Sequence, residues 1–243
     1  MVDNKSSARS PDESNMTDND VGVIFSQENK SRFHITSASS ISSIHRKMML
    51  KILKFHELVN DKNKKIIDVG CGYGTSLKYF HSIGYKNIYG IDPDNDLIKT
   101  IPKEIAEVKS GMAQKIPYLD EYFDVVFVNG ALHHIPIRKV TYQEAIKEMD
   151  RVLKPGGHVF FMEPGRYWAN IFCELGATIL GVVSKTFKDW TDAIYVERAE
   201  IHYFIRNHPI FRNGFKELDY NVVGDTYFIF SWLYSAQKTR KLG

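Results

Sequence analysis

The chain is poor in cysteine: Cys71 and Cys173 are the only two in 243 residues. Two thiols cannot form a disulfide framework, and so few suit a reducing compartment, so a cytoplasmic location is expected. Neither sits in a C-x-x-C spacing, and no metal site is expected. The charges show no excess of one sign: 32 Lys and Arg stand against 29 Asp and Glu, a net +3. That falls short of a nucleic-acid footprint, so no nucleic-acid partner is expected. A membrane span needs about 20 apolar residues. The longest apolar candidate, residues 167–184, carries Glu174 in its middle, where an acid is costly. The first 20 residues lack the apolar run of a secretory signal. They hold two cations (Lys5, Arg9) against five acids, a net −3, and too few apolar side chains to offset the entropy of ordering. Residues 1–20 therefore read as a disordered polar tail. The remaining chain carries +6, which suits an anionic substrate or surface without requiring one.

From Lys65 onward, short apolar runs alternate with helical stripes. Strands are expected at Ile66–Val69, Asn87–Ile91, near Val108, at Phe123–Asn129 and at His158–Met162. Between them lie helix signals at Thr75–Ile83, Asp96–Ile105 and Thr141–Leu153. The last has Thr141 and Glu144 at capping-box spacing and stops before Pro155-Gly156-Gly157. This rhythm implies βαβ units and a mainly parallel sheet, an α/β fold. An amphipathic helix precedes it, with Ile44, Met48, Ile52, Phe55 and Val59 on one stripe. After Glu163-Pro164 a long apolar helix is expected over 167–184, then an irregular aromatic-rich stretch to 210. Phe215–Val223 and Tyr227–Gln237 read as a closing hairpin, turning near Gly224-Asp225.

The most informative run is Asp68-Val69-Gly70-Cys71-Gly72-Tyr73-Gly74. It ends a strand and opens a helix. Glycines let a ligand approach the backbone, and a helix N-terminus offers N–H groups to an anionic group. Dinucleotide enzymes use G-x-G-x-x-G. Here the spacing is G-x-G-x-G, with an acid two residues before the first glycine. A carboxylate there would repel a pyrophosphate and attract an ammonium or sulfonium group. Alone, the run is also compatible with a plain strand-to-helix turn. Asp92 ends the next strand, 20 residues past Gly72. An acid there can accept both ribose hydroxyls; its other use is as a cap or turn residue beside Pro93.

With IIDVGCGYG, YGIDPD, IPYLDEYFDVVFVNGALHHI and LKPGGHVFFMEP, the segment from Lys65 to Pro164 resembles the class I, Rossmann-like S-adenosylmethionine-dependent methyltransferases. It looks close to the small-molecule branch that includes the ubiquinone and menaquinone biosynthesis methyltransferases. The resemblance implies a seven-stranded, mostly parallel sheet with helices on both faces and an antiparallel last strand. It implies S-adenosylmethionine as cofactor. Asp68, Gly70, Cys71, Gly72, Tyr73 and Gly74 would line its methionine end, and Asp92 would hold its ribose. Ile91 or Pro93 would flank the adenine, and Asn129 and Leu132 would lie beside the cofactor. The family often places Gly-Asp-Ala before the fourth strand; this chain has Gly111-Met112-Ala113, so adenine recognition there would fall to backbone groups and apolar contact.

For the chemistry, an oxygen or nitrogen acceptor needs a base, and histidine suits neutral pH. His134 is the first candidate, His133 the second, and Glu163 the third; each has a plain structural reading as a capping or packing residue. Residues 21–62 read as an N-terminal cap, 63–165 as the cofactor-binding core, 166–210 as a helical lid and 211–243 as closing strands. The stretch 167–184 pairs an apolar stripe with a small-residue stripe, and a dimer contact or a peripheral membrane contact are the other uses open to it. The expected function is methyl transfer to an O, N or C nucleophile of a small, partly hydrophobic molecule. A protein methyltransferase and a non-catalytic S-adenosylmethionine-binding module are the rival readings.

Overall fold

The structure is a computed structural model and describes residues 47–135, 139–165, 201–228 and 231–239. All fall in one compact unit, Ile35–Gly243; the other unit, Met1–His34, lies outside the described residues. So do the expected polar tail and the lid helix over 167–184.

Seven strands form one sheet: β1 (Lys65–Val69), β2 (Asn87–Asp92), β3 (Glu107–Ser110), β4 (Phe123–Asn129), β5 (Leu153–Pro164), β6 (Tyr220–Phe228) and β7 (Ser231–Lys238). Their order is β3-β2-β1-β4-β5-β7-β6. The pairs β2–β3, β1–β2, β1–β4 and β4–β5 are parallel, and β7 runs antiparallel to both β5 and β6. The expected Rossmann-like topology, with its antiparallel last strand, is therefore present. The strand order reverses at β1, which pairs with β2 on one side and β4 on the other. In such sheets ligands sit at the carboxyl ends of the strands beside this switch.

The helices among the described residues include α1 (Phe55–Leu58), α2 (Thr75–Ser82), α3 (Asn95–Ile98), α4 (Lys139–Val152) and α5 (Pro209–Glu217). Strand residues alternate between two cores, as the period of two requires. Ile67, Val126, Val128, Val159 and Phe161 face α4 and α5, where Tyr142, Ile146, Met149, Phe211 and Phe215 are buried. Ile66, Val125, Phe127 and Phe160 face Leu50, Leu53, Phe55, Leu77 and Phe80 on the opposite side. Both faces of the sheet are covered, which is why its central strands read as continuous apolar runs.

Several local expectations are corrected. The N-terminal helical stretch, 47–52, buries Met49 and Leu50 and leaves Met48 and Ile52 exposed. Lys54 adopts a left-handed conformation (φ 53), which breaks the helix and turns the residues after it away from a single stripe. The helix expected over Asp96–Ile105 closes after one turn, Asn95–Ile98, capped by the Asp94 carboxylate; Pro102 disfavours helical backbone just ahead of it. Thr141 is no cap, because α4 is already running at Lys139. Phe215 lies in α5, not in a strand: Pro209 opens that helix, and Phe211 and Phe215 bury one turn apart. Residues 201–207, expected to be irregular, are helical. The hairpin reverses between Phe228 and Ser231, not at Gly224-Asp225; Gly224 pairs with Ser235 just after a bulge at Val223, where the β6–β7 register shifts.

Candidate active site

Every candidate site residue lies at, or just beyond, the carboxyl ends of neighbouring strands. Val69 pairs with Ile91, and Asn129 with Met162, so the ends of β2, β1, β4 and β5 stand side by side.

The glycine loop leaves β1 and turns at once into α2. Gly70, Gly72 and Gly74 all have positive φ (77°, 49° and 71°), which side chains rarely adopt. The Gly70 and Cys71 amides both donate to the Ile91 carbonyl, at 2.9 and 3.0 Å. The Gly72 amide donates to Asp92 Oδ2 at 2.8 Å, and the Asp94 amide to Oδ1 at 2.9 Å. Asp92 thus ties the loop to the end of β2. Burial pushes its carboxyl up from the ordinary range; the Asp94 and Gly72 amides oppose that. Asp68 is buried at 2% exposure behind the loop. Cys71 points into the core, its sulfur packed by Gly90 and Leu77. Burial first, then Asp68 and Asp92, push its thiol up, so it stays protonated and unreactive.

On the β3 side of Asp92 lies a cavity of about 670 Å³, lined by Pro93, Ser110, Gly111, Met112, Lys115, Ile116, Pro117, Glu148 and Arg151. Of the pair Ile91 and Pro93, Pro93 lines this cavity and Ile91 is wholly buried in the core. Met112 is half-exposed on its wall, whereas Ala113 packs partly buried against the core. Arg151 holds the far wall together. It donates to the Tyr118 and Ile116 carbonyls, both at 2.9 Å, and to Asp120 and Glu148, both at 2.7 Å. Periodicity hides this role, since Glu148 and Arg151 read as an ordinary i,i+3 surface pair in α4.

On the β5 side, a short 3₁₀ turn, Leu132–His134, follows β4. Leu132 is fully buried, and Asn129 bridges from β4 to Ser76 of α2 at 3.4 Å. Glu163 and His133 are buried too, at 1% and 4% exposure. Glu163 Oε1 accepts from the Ala131 and Leu132 amides at 2.8 and 3.0 Å, and Oε2 from His133 Nδ1 at 2.9 Å. Of the three candidate bases, only His134 is not fully buried. Beyond His133 a run of aromatic groups continues through Phe204, His208 and Trp232. His208 Nε2 meets the Tyr227 hydroxyl at 2.9 Å. Sequence spacing gave no sign of this cluster, which the folding of 201–217 onto β6 and β7 assembles.

The site thus joins a glycine loop and an acid at the ends of β1 and β2 to histidines just beyond the end of β4. Residues 67–161 match the family described as Methyltransferase domain. The chain is 31% identical over 133 residues to a demethylmenaquinone methyltransferase of Staphylococcus aureus (strain MRSA252), covering 52% of this chain and 54% of that one. It thus spans about half the length of the curated relatives it matches. Among solved structures it is similar to the PH0226 protein of Pyrococcus horikoshii OT3 (TM-score 0.59, 16% identity, 84% of this chain and 95% of that one). It is also similar to a putative S-adenosyl-L-methionine-dependent methyltransferase of Methanococcus maripaludis (TM-score 0.53, 16% identity, 88% and 94%). At such identities these structures show a common fold.

Proposed function

We propose that this chain is an S-adenosylmethionine-dependent methyltransferase acting on an O, N or C nucleophile of a small, partly hydrophobic molecule. The observation that carries the reading is the Asp92 carboxylate bonded to the Gly72 amide at the switch point of the sheet. The donor set fits the cofactor. Three positive-φ glycines leave the backbone open to a ligand, and α2 begins at Gly74 with no side-chain cap on its N-terminal amides. Asp68, Gly70, Gly72, Tyr73 and Gly74 would hold the methionine end, and Asp92 the ribose hydroxyls. Pro93, Met112 and the Gly111 backbone would hold the adenine in the adjoining cavity, whose one acid, Glu148, is already paired with Arg151 and the Ile116 amide. The relatives' name, demethylmenaquinone methyltransferase, supports a small-molecule acceptor. No helix among the described residues is long and apolar enough to cross a membrane; the proposed cytoplasmic location rests on the scarcity of cysteine.

S-adenosylmethionine supplies a methyl carbon on a sulfonium, open to in-line attack. What remains for the chain is alignment, and positioning alone can supply most of the rate. Asn129, at the end of β4, and Leu132, just beyond it, would lie beside the cofactor. His134 accepts the proton of an oxygen or nitrogen acceptor. The test is calorimetric titration with S-adenosylmethionine and its demethylated product, followed by labelled-methyl transfer into a cell extract and its separation. Binding and label in the small-molecule or lipid fraction are expected. Label in protein would move the acceptor to another class, and binding without transfer would make the chain a binding module. Absence of binding would remove the reading altogether.

A further inference from the structure

We infer that Glu163 is a positioning residue: its carboxylate fixes the tautomer of His133 and the shape of the turn that carries His134. The inference rests on the proposed methyl transfer for its kinetic consequence, but its structural content is independent of it.

Glu163 ends β5 and is 1% exposed, so it touches no acceptor. Its two oxygens are committed to one short segment. Oε1 takes the Ala131 and Leu132 amides, and Oε2 takes His133 Nδ1, all within 3.0 Å. A carboxylate accepts only, so the Nδ1 of His133 must carry its proton toward Glu163. That assigns the Nδ1–H tautomer and leaves the basic lone pair of the neutral ring on Nε2. The His133 ring then sets the His134 ring, with centroids 4.0 Å apart and planes inclined by 39°. The same clamp reaches the cofactor side. Ala131 sits so close to the glycine loop that a Cβ on Gly70 would lie 2.3 Å from its own. Glu163 therefore braces both halves of the site from behind, through backbone on one oxygen and a ring on the other.

Glu163→Gln separates charge and tautomer from shape. Two backbone amides oblige the glutamine to turn its carbonyl toward them. Its NH2 group then faces His133 Nδ1, which must become the acceptor, and the ring proton moves to Nε2. Two-bond nitrogen–proton spectra of protein labelled with ¹⁵N-histidine read this directly. The intact protein should show His133 as Nδ1–H, and the variant as Nε2–H. Labelled-methyl transfer into a cell extract should fall by roughly ten- to a hundredfold, because the flipped tautomer and the lost carboxylate charge act on the histidine pair while the backbone shape is kept. S-adenosylmethionine affinity should stay within about threefold, because the glycine loop and Asp92 are untouched. An Nε2–H signal in the intact protein, or a fall in transfer of less than about fivefold, would overturn the inference. If the glutamine variant does not fold, His133→Asn serves instead: its amide keeps a donor on Glu163 while removing the ring. Transfer should then fall as far, and undiminished transfer would overturn the inference. Failure of the intact protein to bind S-adenosylmethionine would end the methyltransferase reading, while the tautomer measurement would still decide the role of Glu163.

Discussion

Gly70→Ala tests the close approach between the glycine loop and the turn after β4. The added methyl would lie 2.3 Å from Ala131 Cβ. Apolar carbons rest about 3.5 Å apart or more, so one segment must retreat by roughly 1 Å. Gly70 also has φ 77, which costs a residue with a Cβ about 1–2 kcal/mol. Overpacking adds about 1–3 kcal/mol, for a total of about 2–5 kcal/mol. In a protein of this size each kcal/mol lowers Tm by about 2–4 °C, so a fall of roughly 5–15 °C is expected. Misplacement by 1 Å should also cut methyl transfer about 10²-fold. Gly72→Ala is the control. Its φ is also positive, but nothing lies within 4 Å of its added methyl, so only the backbone cost, about 1 kcal/mol, applies. The decisive variant is Gly70→Ala with Ala131→Gly. It removes the clash and leaves an ordinary 3.7 Å contact to the Ala131 Cα. Residues in contact couple non-additively, so the double variant should be more stable than Gly70→Ala alone. Thermal melts by circular dichroism, with calorimetric cofactor titration, read all four proteins. Equal melting of the two single glycine variants, or no recovery in the double variant, would refute the steric argument.

Asp92→Ala removes a charged acceptor worth about 1.5–3 kcal/mol, so S-adenosylmethionine affinity should fall roughly ten- to a hundredfold by calorimetry; undiminished affinity would take Asp92 out of the cofactor site. His158 is buried in the middle of β5, and burial, with Lys64 nearby, lowers its pKa from 6.5 to about 4. The folded ring stays neutral while the unfolded one gains a proton below pH 6.5, so stability should fall as pH drops from 6.5 toward 4. The loss is up to about 3 kcal/mol, and His158→Leu should flatten that part of a pH series of urea melts. Arg151→Met removes the cross-links to Ile116, Tyr118 and Asp120, and we expect a loss of about 1–3 kcal/mol with faster amide exchange across 112–120. Unchanged exchange there would mean that the cavity wall does not depend on Arg151.

What the sequence determined by itself is local in origin. Strand residues such as Ile66–Val69 and Phe123–Asn129 are continuous apolar runs because both faces of the sheet are covered, and that pattern is visible without a structure. The G-x-G-x-G loop and Asp92 are legible for the same reason: each meets a backbone requirement at one strand end, and their 20-residue spacing spans one βαβ step. Tertiary structure decided what depends on residues far apart in the chain. Glu163 and His133 are 30 positions apart, and only the β4–β5 pairing turns two candidate catalytic groups into one buried pair. Phe215 has the β propensity of a strand residue, but burial against α4 and the neighbouring strands makes it helical. Gly224 reads as a turn, but pairing with Ser235 of β7 keeps it in the strand, beside a bulge at Val223. Propensity is a preference of about 1 kcal/mol or less per residue, whereas burying an aromatic side chain contributes about 1.5–3 kcal/mol. Where the two disagreed, packing chose the structure.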